Sequence, residues 1–454
     1  MSRLSSSYAM GPPVPALNKV EGLLVDLCYE CYQCRNSIGK WCYNNDDPRG
    51  RFHKLVDFEL TEAQKNIKEF LHWFAKMKMR PISLQTDKEG DVPREFLMDV
   101  MELGISSGDV FLGDAEAGEV VRDDQGRSQK ARISMIASEE LAWGDPALII
   151  SFPGPGLGAP PVKILGTPEQ KKRFFEIFKD KSEPRWGAYA LTEPGAGSDA
   201  AAISTTAVKN GDHYILNGRK CFITNGARAS WIVVFATVDP KLGRDGHRVF
   251  VVEKGTPGFY PGRIEEKMGL RASETAELIF EECRVAIENL LGGEEYYEVK
   301  AKEGFKAAMK TFDATRPIVG AMAVGIARAS YEIVKDWAKE NNLFTSLLPR
   351  FRGLRDSLNY MEREIDAARL LCWRAAWMID EKLPNSKEAA MAKAYAAQVV
   401  TNVTSKAIEI MGVHGCLREN LLEKLYRDQK VYDIFEGTGQ IQRIIISRRI
   451  FESM

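Results

Sequence analysis

The chain has almost no excess of either charge: 62 basic and 63 acidic residues leave a net charge of −1 over 454 residues, with no basic tail. Nucleic acid and anionic membranes therefore find no electrostatic handle, and small molecules or proteins are the expected partners. No apolar run approaches the ~20 residues of a membrane span, and no secretory apolar segment follows the first methionine. The first 20 residues carry Arg3 and several serines but no acid, as transit peptides do, yet Pro12, Pro13 and Pro15 interrupt any amphipathic helix. We expect a cytoplasmic protein. Internal repeats and low-complexity tracts are absent, and the length suggests about three domains.

Cysteine is sparse, eight in all, and half of it is crowded near the start as Cys28, Cys31, Cys34 and Cys42. Four thiolates at that spacing offer a zinc or iron–sulfur site. Leu24, Leu27, Cys31 and Cys34 also recur at helical spacing, which gives an apolar helix face with cysteine as a small hydrophobe. The second reading is taken, and no metal is expected.

Hydrophobic periodicity divides the rest. Residues 1–55 form an extension that ends in the turn-rich run Asn44-Asn45-Asp46-Asp47-Pro48-Arg49-Gly50. Residues 56–185 read as helical, with Ile67, Phe70, Leu71 and Phe74 on one stripe and Ile133, Ile136, Ala137 and Leu141 on another. Residues 152–161 break the helices, and Thr167-Pro168 starts another. Over 186–293 the period becomes two: Asn217-Gly218 predicts a hairpin, and residues 231–237 and 249–253 predict buried strands. From 294 to 454 the helical period returns, with Met322, Ile326, Ala329, Ile333 and Trp337 on one helix and Leu354, Leu358, Met361, Ile365 and Cys372 on the next. Residues 388–397 are alanine-rich, and Gly412 is a stop. The fold class is α+β, multidomain: an N-terminal helical domain, a central β-barrel-like domain and a C-terminal four-helix bundle.

Two segments carry candidate chemistry. In Phe435-Glu436-Gly437-Thr438-Gly439-Gln440 one carboxylate sits on a glycine-flanked turn, which is either a rigidly held base or a solvated loop before a Thr438 helix cap. In Tyr189-Ala190-Leu191-Thr192-Glu193-Pro194-Gly195-Ala196-Gly197-Ser198-Asp199 a strand runs into a glycine-rich bend where backbone can approach a ligand. No Gly-Lys-Ser/Thr follows, so the bend is not a Walker loop.

These segments, with Asn217-Gly218-Arg219-Lys220-Cys221-Phe222-Ile223-Thr224-Asn225-Gly226, Phe312-Asp313-Ala314-Thr315-Arg316-Pro317, Met268-Gly269-Leu270-Arg271 and Tyr426-Arg427-Asp428, occur in the order found in the acyl-CoA dehydrogenases, which residues 56–454 resemble. The resemblance implies an FAD enzyme that oxidises an acyl-CoA thioester to the trans-2-enoyl-CoA. A base takes the α proton, the β hydrogen leaves as hydride to flavin N5, and electrons pass to an electron-transfer flavoprotein. It makes Glu436 the base, a role that burial favours by raising a carboxyl pKa. The only other base position known for this fold holds Thr315, which cannot serve.

The resemblance also implies FAD contacts from Tyr189, Leu191, Thr192, Ser198, Phe222, Ile223, Thr224, Phe344, Thr438 and Gln440, with Phe222 covering the flavin face. Ser198, Asp313, Arg316, Gly437 and Arg448 fall at coenzyme A contacts. Otherwise, Phe222 is a strand core residue and Asp313–Arg316 a surface ion pair worth little. A homotetramer or homodimer sharing FAD across an interface is implied.

The chain also departs from the family. Asn341-Asn342-Leu343-Phe344-Thr345 lacks the usual phosphate-binding arginine, and Val413 adds bulk in Gly412-Val413-His414-Gly415. Arg352 and His414 are candidates to compensate, although His414 on its loop also reads as an ordinary polar residue. Phe152 and Phe435 suggest an apolar acyl pocket. An oxygen-using acyl-CoA oxidase or nitroalkane-oxidase-like relative and a non-catalytic flavin scaffold are the alternative functions.

Overall fold

The computed structural model describes residues 40–41, 56–105, 107, 126, 128–300, 303–343 and 349–452. The chain divides into Met1–Glu59 and Leu60–Met454. In the first unit β1 (Lys40–Trp41) pairs antiparallel with β2 (Val56–Asp57). Cys28, Cys31, Cys34, Cys42 and Phe344 lie outside the described residues.

The second unit begins with helices whose starts are written in their caps. Thr61 opens α1 (Glu62–Phe74) with a capping box: its hydroxyl accepts from the Gln64 N–H, and the Gln64 side chain accepts from the Thr61 N–H. Such a cap contributes about 1 kcal/mol. Leu71 and Phe74 are buried, but Phe70 is 42% exposed and stacks on Trp73 at 6.1 Å. Position 70 lies off the row 64, 67, 71 and 74 that faces inward, so the expected stripe is one residue too wide.

After α2 (Ser83–Glu89) and α3 (Arg94–Glu102) comes α4 (Lys130–Gly144), buried along most of its length. Its Glu139 and Glu140 are met there by Arg328, and Glu139 also by Arg369. Asp145 caps α5 (Pro146–Ile150). The expected break at 152–161 ends early, because Pro160 and Pro161 sit in the first turn of α6 (Ala159–Leu165), where a missing N–H costs no helix bond. Thr167 opens α7 (Pro168–Glu176) with a second capping box.

Seven strands then form one curled sheet: β3 (Gly187–Ala190), β4 (Thr206–Asn210), β5 (His213–Thr224), β6 (Trp231–Thr237), β7 (His247–Glu253), β8 (Phe259–Ile264) and β9 (Thr275–Ala286). The order is β3-β6-β4-β5-β9-β8, with β7 on β6. The Asn217-Gly218 hairpin does not form. Strand β5 runs through both residues, with a register shift against β9 between Leu216 and Gly218, and the turn falls at residues 211–212. Asn217 instead exchanges hydrogen bonds with Glu282, at 2.9 and 2.8 Å. A Cβ at 218 would lie 2.5 Å from Thr205 Oγ1, so this glycine serves a bulge and a close approach.

The C-terminal region comprises α8 (Glu294–Val299), α9 (Glu303–Glu340), α10 (Pro349–Asp380), α11 (Ser386–Met411), α12 (Leu421–Asp428) and α13 (Gly439–Phe451). Met322, Ile326 and Ala329 of α9 are buried, as are Leu358, Met361, Ile365 and Cys372 of α10. Gly412 ends α11. By length and composition α9 is long and apolar enough to cross a membrane, which the sequence reading did not anticipate, but 83% of its apolar window is buried inside the protein. Pro317 within α9 has no N–H for the Asp313 carbonyl, and Asn385, at the start of α11, donates to that carbonyl instead at 3.3 Å.

One buried cluster joins the three parts. Lys424 Nζ lies 2.8 Å from Asp145 of the first helical part and 2.6 Å from Asp428 of α12, and all three side chains are inaccessible. Asp428 also accepts from the Leu270 N–H of the β part at 2.6 Å. Its neighbour Arg427 binds Asp87 at 2.7 Å and the Met268 carbonyl at 3.0 Å. Removing the lysine strands two carboxylates in the interior. Lys424→Met should therefore cost about 3–5 kcal/mol, read as a lowered denaturation midpoint, whereas an exposed pair such as Lys65–Glu62 should contribute ~0.5 kcal/mol.

Candidate active site

Glu436 lies on the turn between the 3₁₀ segment Gln429–Asp433 and α13. Its φ of 52° is left-handed, a conformation that costs a non-glycine residue about 1 kcal/mol and persists only where neighbours enforce it. Gly437 follows at φ 93°, and a Cβ there would lie 2.6 Å from Gln442 Nε2. The turn's carbonyls are tied from two helices. Lys393 Nζ of α11 donates to the Gly437 carbonyl at 2.7 Å, and Gln442 Nε2 of α13 donates to it at 2.9 Å and to the Glu436 carbonyl at 3.3 Å. The Thr438 hydroxyl accepts from the Ile441 N–H and caps α13. The turn is thus rigidly held and Thr438 is also a helix cap, so the segment is not a solvated loop.

The carboxylate is aimed at α9. Thr315 Oγ1, fully buried, donates to Glu436 Oε2 at 2.7 Å and lies 3.1 Å from the Thr311 carbonyl. Burial pushes the Glu436 carboxyl above the ordinary range, and the Thr315 hydrogen bond and the charges of Arg316 and Lys393 only partly oppose it. Thr315, read from the sequence only as the wrong residue to be a base, is thus the direct partner of Glu436.

Arg316 binds Asp313 at 2.6 Å. This is no surface pair: Arg316 is 3% exposed, and its charge acts on Glu436 as well as on Asp313. Among the described residues, the buried Arg316 Nε and Tyr189 hydroxyl have no protein hydrogen-bond partner. Burial, and then the Glu436 charge, hold the Tyr189 phenol neutral.

The glycine-rich bend after β3 is anchored from below. Lys220 Nζ, inaccessible within β5, donates to the Leu191 carbonyl at 3.0 Å and to Glu193 Oε1 at 2.7 Å. Glu193 also accepts from the Ser204 and Thr205 N–H groups. Burial alone would raise the Glu193 carboxyl, but Lys220 and these hydrogen bonds overcome it and hold it at about 2. The Cys221 N–H donates to the Thr192 carbonyl at 3.0 Å, fastening the bend to β5. One residue later Phe222 turns out of the sheet at φ 58° and is 64% exposed, so it is not a core residue.

The remaining sequence candidates are placed as follows. Leu191 and Ile223 are buried in the cores on either side of the sheet, so they offer a ligand mainly backbone, while Thr192 and Thr224 are half-buried. Ser198, Gln440 and Arg448 are exposed. Phe152 is fully buried against Phe96 at 6.1 Å, and Phe435 packs edge-on to Tyr432 at 5.0 Å. Val413 projects into solvent at 71% exposure, and His414 lies 6.3 Å from the Trp337 ring. Arg352 is exposed.

Sequence reasoning missed Lys393 and the Lys220–Glu193 pair. Lys393 had a signal, because Ala389, Ala390, Ala396 and Ala397 share its helical face and make it a lone charge among small buried residues.

Comparison with known proteins gives the family. The family model described as acyl-CoA dehydrogenase, N-terminal domain, matches residues 61–178, the middle-domain model matches 188–283, and the C-terminal-domain model matches 302–451. The short-chain specific acyl-CoA dehydrogenase of Clostridium acetobutylicum is 37% identical over 87% of this chain and 100% of its own length. The acryloyl-CoA reductase (NADH) of Anaerotignum propionicum is 36% identical over 88% and 97%. The butyryl-CoA dehydrogenase structure from Megasphaera elsdenii superposes with a TM-score of 0.77 at 35% identity, over 87% of this chain and 100% of that one. The chain belongs to the acyl-CoA dehydrogenase family and is an FAD-dependent oxidoreductase acting on acyl-CoA thioesters.

Proposed function

We propose that the protein dehydrogenates a short-chain acyl-CoA to the trans-2-enoyl-CoA, with Glu436 removing the α proton and electrons leaving to an electron-transfer flavoprotein. The observation that carries this reading is the Glu436 carboxylate, held on a strained turn and raised in pKa by burial. Short-chain substrates are favoured because relatives at 36–37% identity over most of this chain carry that name. The acceptor is suggested by a 38% identical chain, TM-score 0.77, in a structure titled for an electron transferring flavoprotein of Acidaminococcus fermentans, which covers 87% of this chain and 99% of that one. A cytoplasmic location and a homodimer or homotetramer belong to the same proposal.

The residues present fit FAD. The exposed Phe222 ring offers an aromatic face beside a bend whose backbone is fixed by Lys220, and the orphaned Tyr189 hydroxyl marks a place where a bound group supplies the missing partner. Leu191, Thr192, Ile223 and Thr224 line that bend and strand end. Ser198, Gln440 and Thr438 complete the assigned FAD contacts, with Phe344 outside the described residues. Bound FAD supplies the hydride acceptor. The chain's own residues supply the proton chemistry and the hold on the thioester.

Glu436 acts in its ionised form, which the Thr315 hydrogen bond and the Arg316 and Lys393 charges favour against burial without cancelling it. A carboxylate in this setting is a stronger base than one in water, since protonation relieves its desolvation. The Glu436 backbone N–H, fixed by the turn, donates to the thioester oxygen as charge develops there. Asp313, Arg316, Ser198, Gly437 and Arg448 hold the coenzyme A arm, and Arg316, buried with one N–H unpaired, has a donor to give.

Anaerobic mixing with butyryl-CoA should bleach the flavin. Glu436→Gln should retain FAD but bleach roughly a thousandfold more slowly. Unchanged bleaching in that variant would falsify the base assignment. In the wild type the rate should fall as pH drops through the Glu436 pKa, above the usual carboxylate range, because only the ionised form accepts the proton. Thr315→Val removes a hydrogen bond to that form and should move the acid limb up by about one unit, as read from bleaching rates across pH.

A further inference from the structure

Lys393 is 1% exposed, and burial lowers its ammonium to about 8, with Asp433 and Glu436 opposing the shift and Arg316 adding to it. A buried ammonium is costly, and an apolar residue of similar size is often as stable or more so. Holding a carbonyl does not require a charge either. Gln442, a neutral amide, binds the same Gly437 oxygen at 2.9 Å. What Lys393 adds, and Gln442 cannot, is a positive charge next to the turn.

We infer that Lys393 is a positioning residue for the base: its ammonium, bound to the Gly437 carbonyl, holds the turn that carries Glu436 and places a positive charge beside it. The inference rests on the reading of Glu436 as base.

The surroundings make this charge count. From α9, Arg316, engaged by Asp313 at 2.6 Å, acts on Glu436 more strongly than Lys393 does but is hydrogen-bonded to Asp313 and not to the turn. From α10, Arg374 is held by Glu388 at 3.2 Å. Asp433, on the 3₁₀ segment, acts on Lys393 more strongly than Glu436 does, and a Cβ at Gly439 would meet both Asp433 and Arg443 of α13. From β3 comes the neutral Tyr189 phenol. Thr315 supplies a hydrogen bond but no charge. Among the described residues, Lys393 is therefore the cation that both touches the turn and acts on Glu436. Removing it leaves the Gly437 carbonyl to Gln442 alone and the carboxylate with less to oppose its burial.

The test is the pH dependence of anaerobic flavin bleaching by butyryl-CoA in the isolated holoprotein, with FAD content and unfolding midpoint measured alongside. Lys393→Met should move the acid limb up by about one unit or more and slow bleaching at neutral pH about tenfold. Lys393→Arg should restore the limb, and KM should change less than kcat. A Lys393→Met holoprotein whose limb overlies that of the wild type would overturn the proposal. Where Lys393→Met does not fold, Lys393→Gln takes its place with the same expected and overturning results. If neither neutral variant folds while Lys393→Arg does, the residue serves the fold alone and the proposal fails. Glu436→Gln separates the two assignments: if it still bleaches, the base reading falls, and any limb shift in the Lys393 variants reports another group.

Discussion

The structure depends on the electrostatic balance around Lys424. Two aspartates from different parts of the chain share one ammonium in a place water does not reach, and Asp428 also takes the Leu270 N–H. Burial pushes Asp428 above the usual carboxylate range, Lys424 opposes the push, and the Asp145 charge adds to it. Such a cluster is stable only when every partner is in place, so the helical part, the sheet and the bundle must be docked together for any one of them to satisfy its buried charge. Asp428 is also eight residues before Glu436, at the end of the helix that leads into the active-site turn. The position of the candidate base is thereby referred to all three parts of the fold.

Three buried lysines each tie separate segments of the described chain together. Lys220, Lys393 and Lys424 are among its largest fully buried side chains. The first fixes the carbonyl of the bend after β3, the second the carbonyl of the turn at Glu436, and the third, through Asp145, the docking of α12. A lysine suits the task because its long stem packs as an apolar chain while three donors converge at the tip. The cost is desolvation, visible in the lowered values of about 8 for Lys220 and Lys393. Lys424 escapes that cost because two carboxylates outweigh burial and raise it.

Local signals in the sequence were read correctly where the physics is local. Thr167 and Thr438 cap the helices they announce, and the apolar run at 231–237 is a strand buried along its length. Asn217-Gly218 misled because the same dipeptide suits a hairpin and a bulge, and only the approach of Thr205 and Glu282 from elsewhere in the chain decides between them. Glu436, Arg316, Phe222 and Thr315 were visible through the family's motifs, but the contact of Thr315 with Glu436 spans 121 positions and no periodicity reports it. Lys393 was hidden for a different reason. A charge in an alanine-rich helix reads as a solvated position until its neighbours on the same face are counted.

The Thr315 hydroxyl has a single proton and two acceptors in range, the Glu436 carboxylate at 2.7 Å and the Thr311 carbonyl at 3.1 Å. With the acid ionised, that proton points to Glu436. Once the acid has taken up a proton, the carboxyl can donate to Thr315 Oγ1, and the hydroxyl proton swings to the helix carbonyl. The two charge states of the acid are then served by rotating one hydrogen, with no heavy atom displaced. If Glu436 is the base, as proposed, the turn loses and regains its charge in each cycle by that rotation alone, and α9, which carries Asp313 and Arg316, need not move.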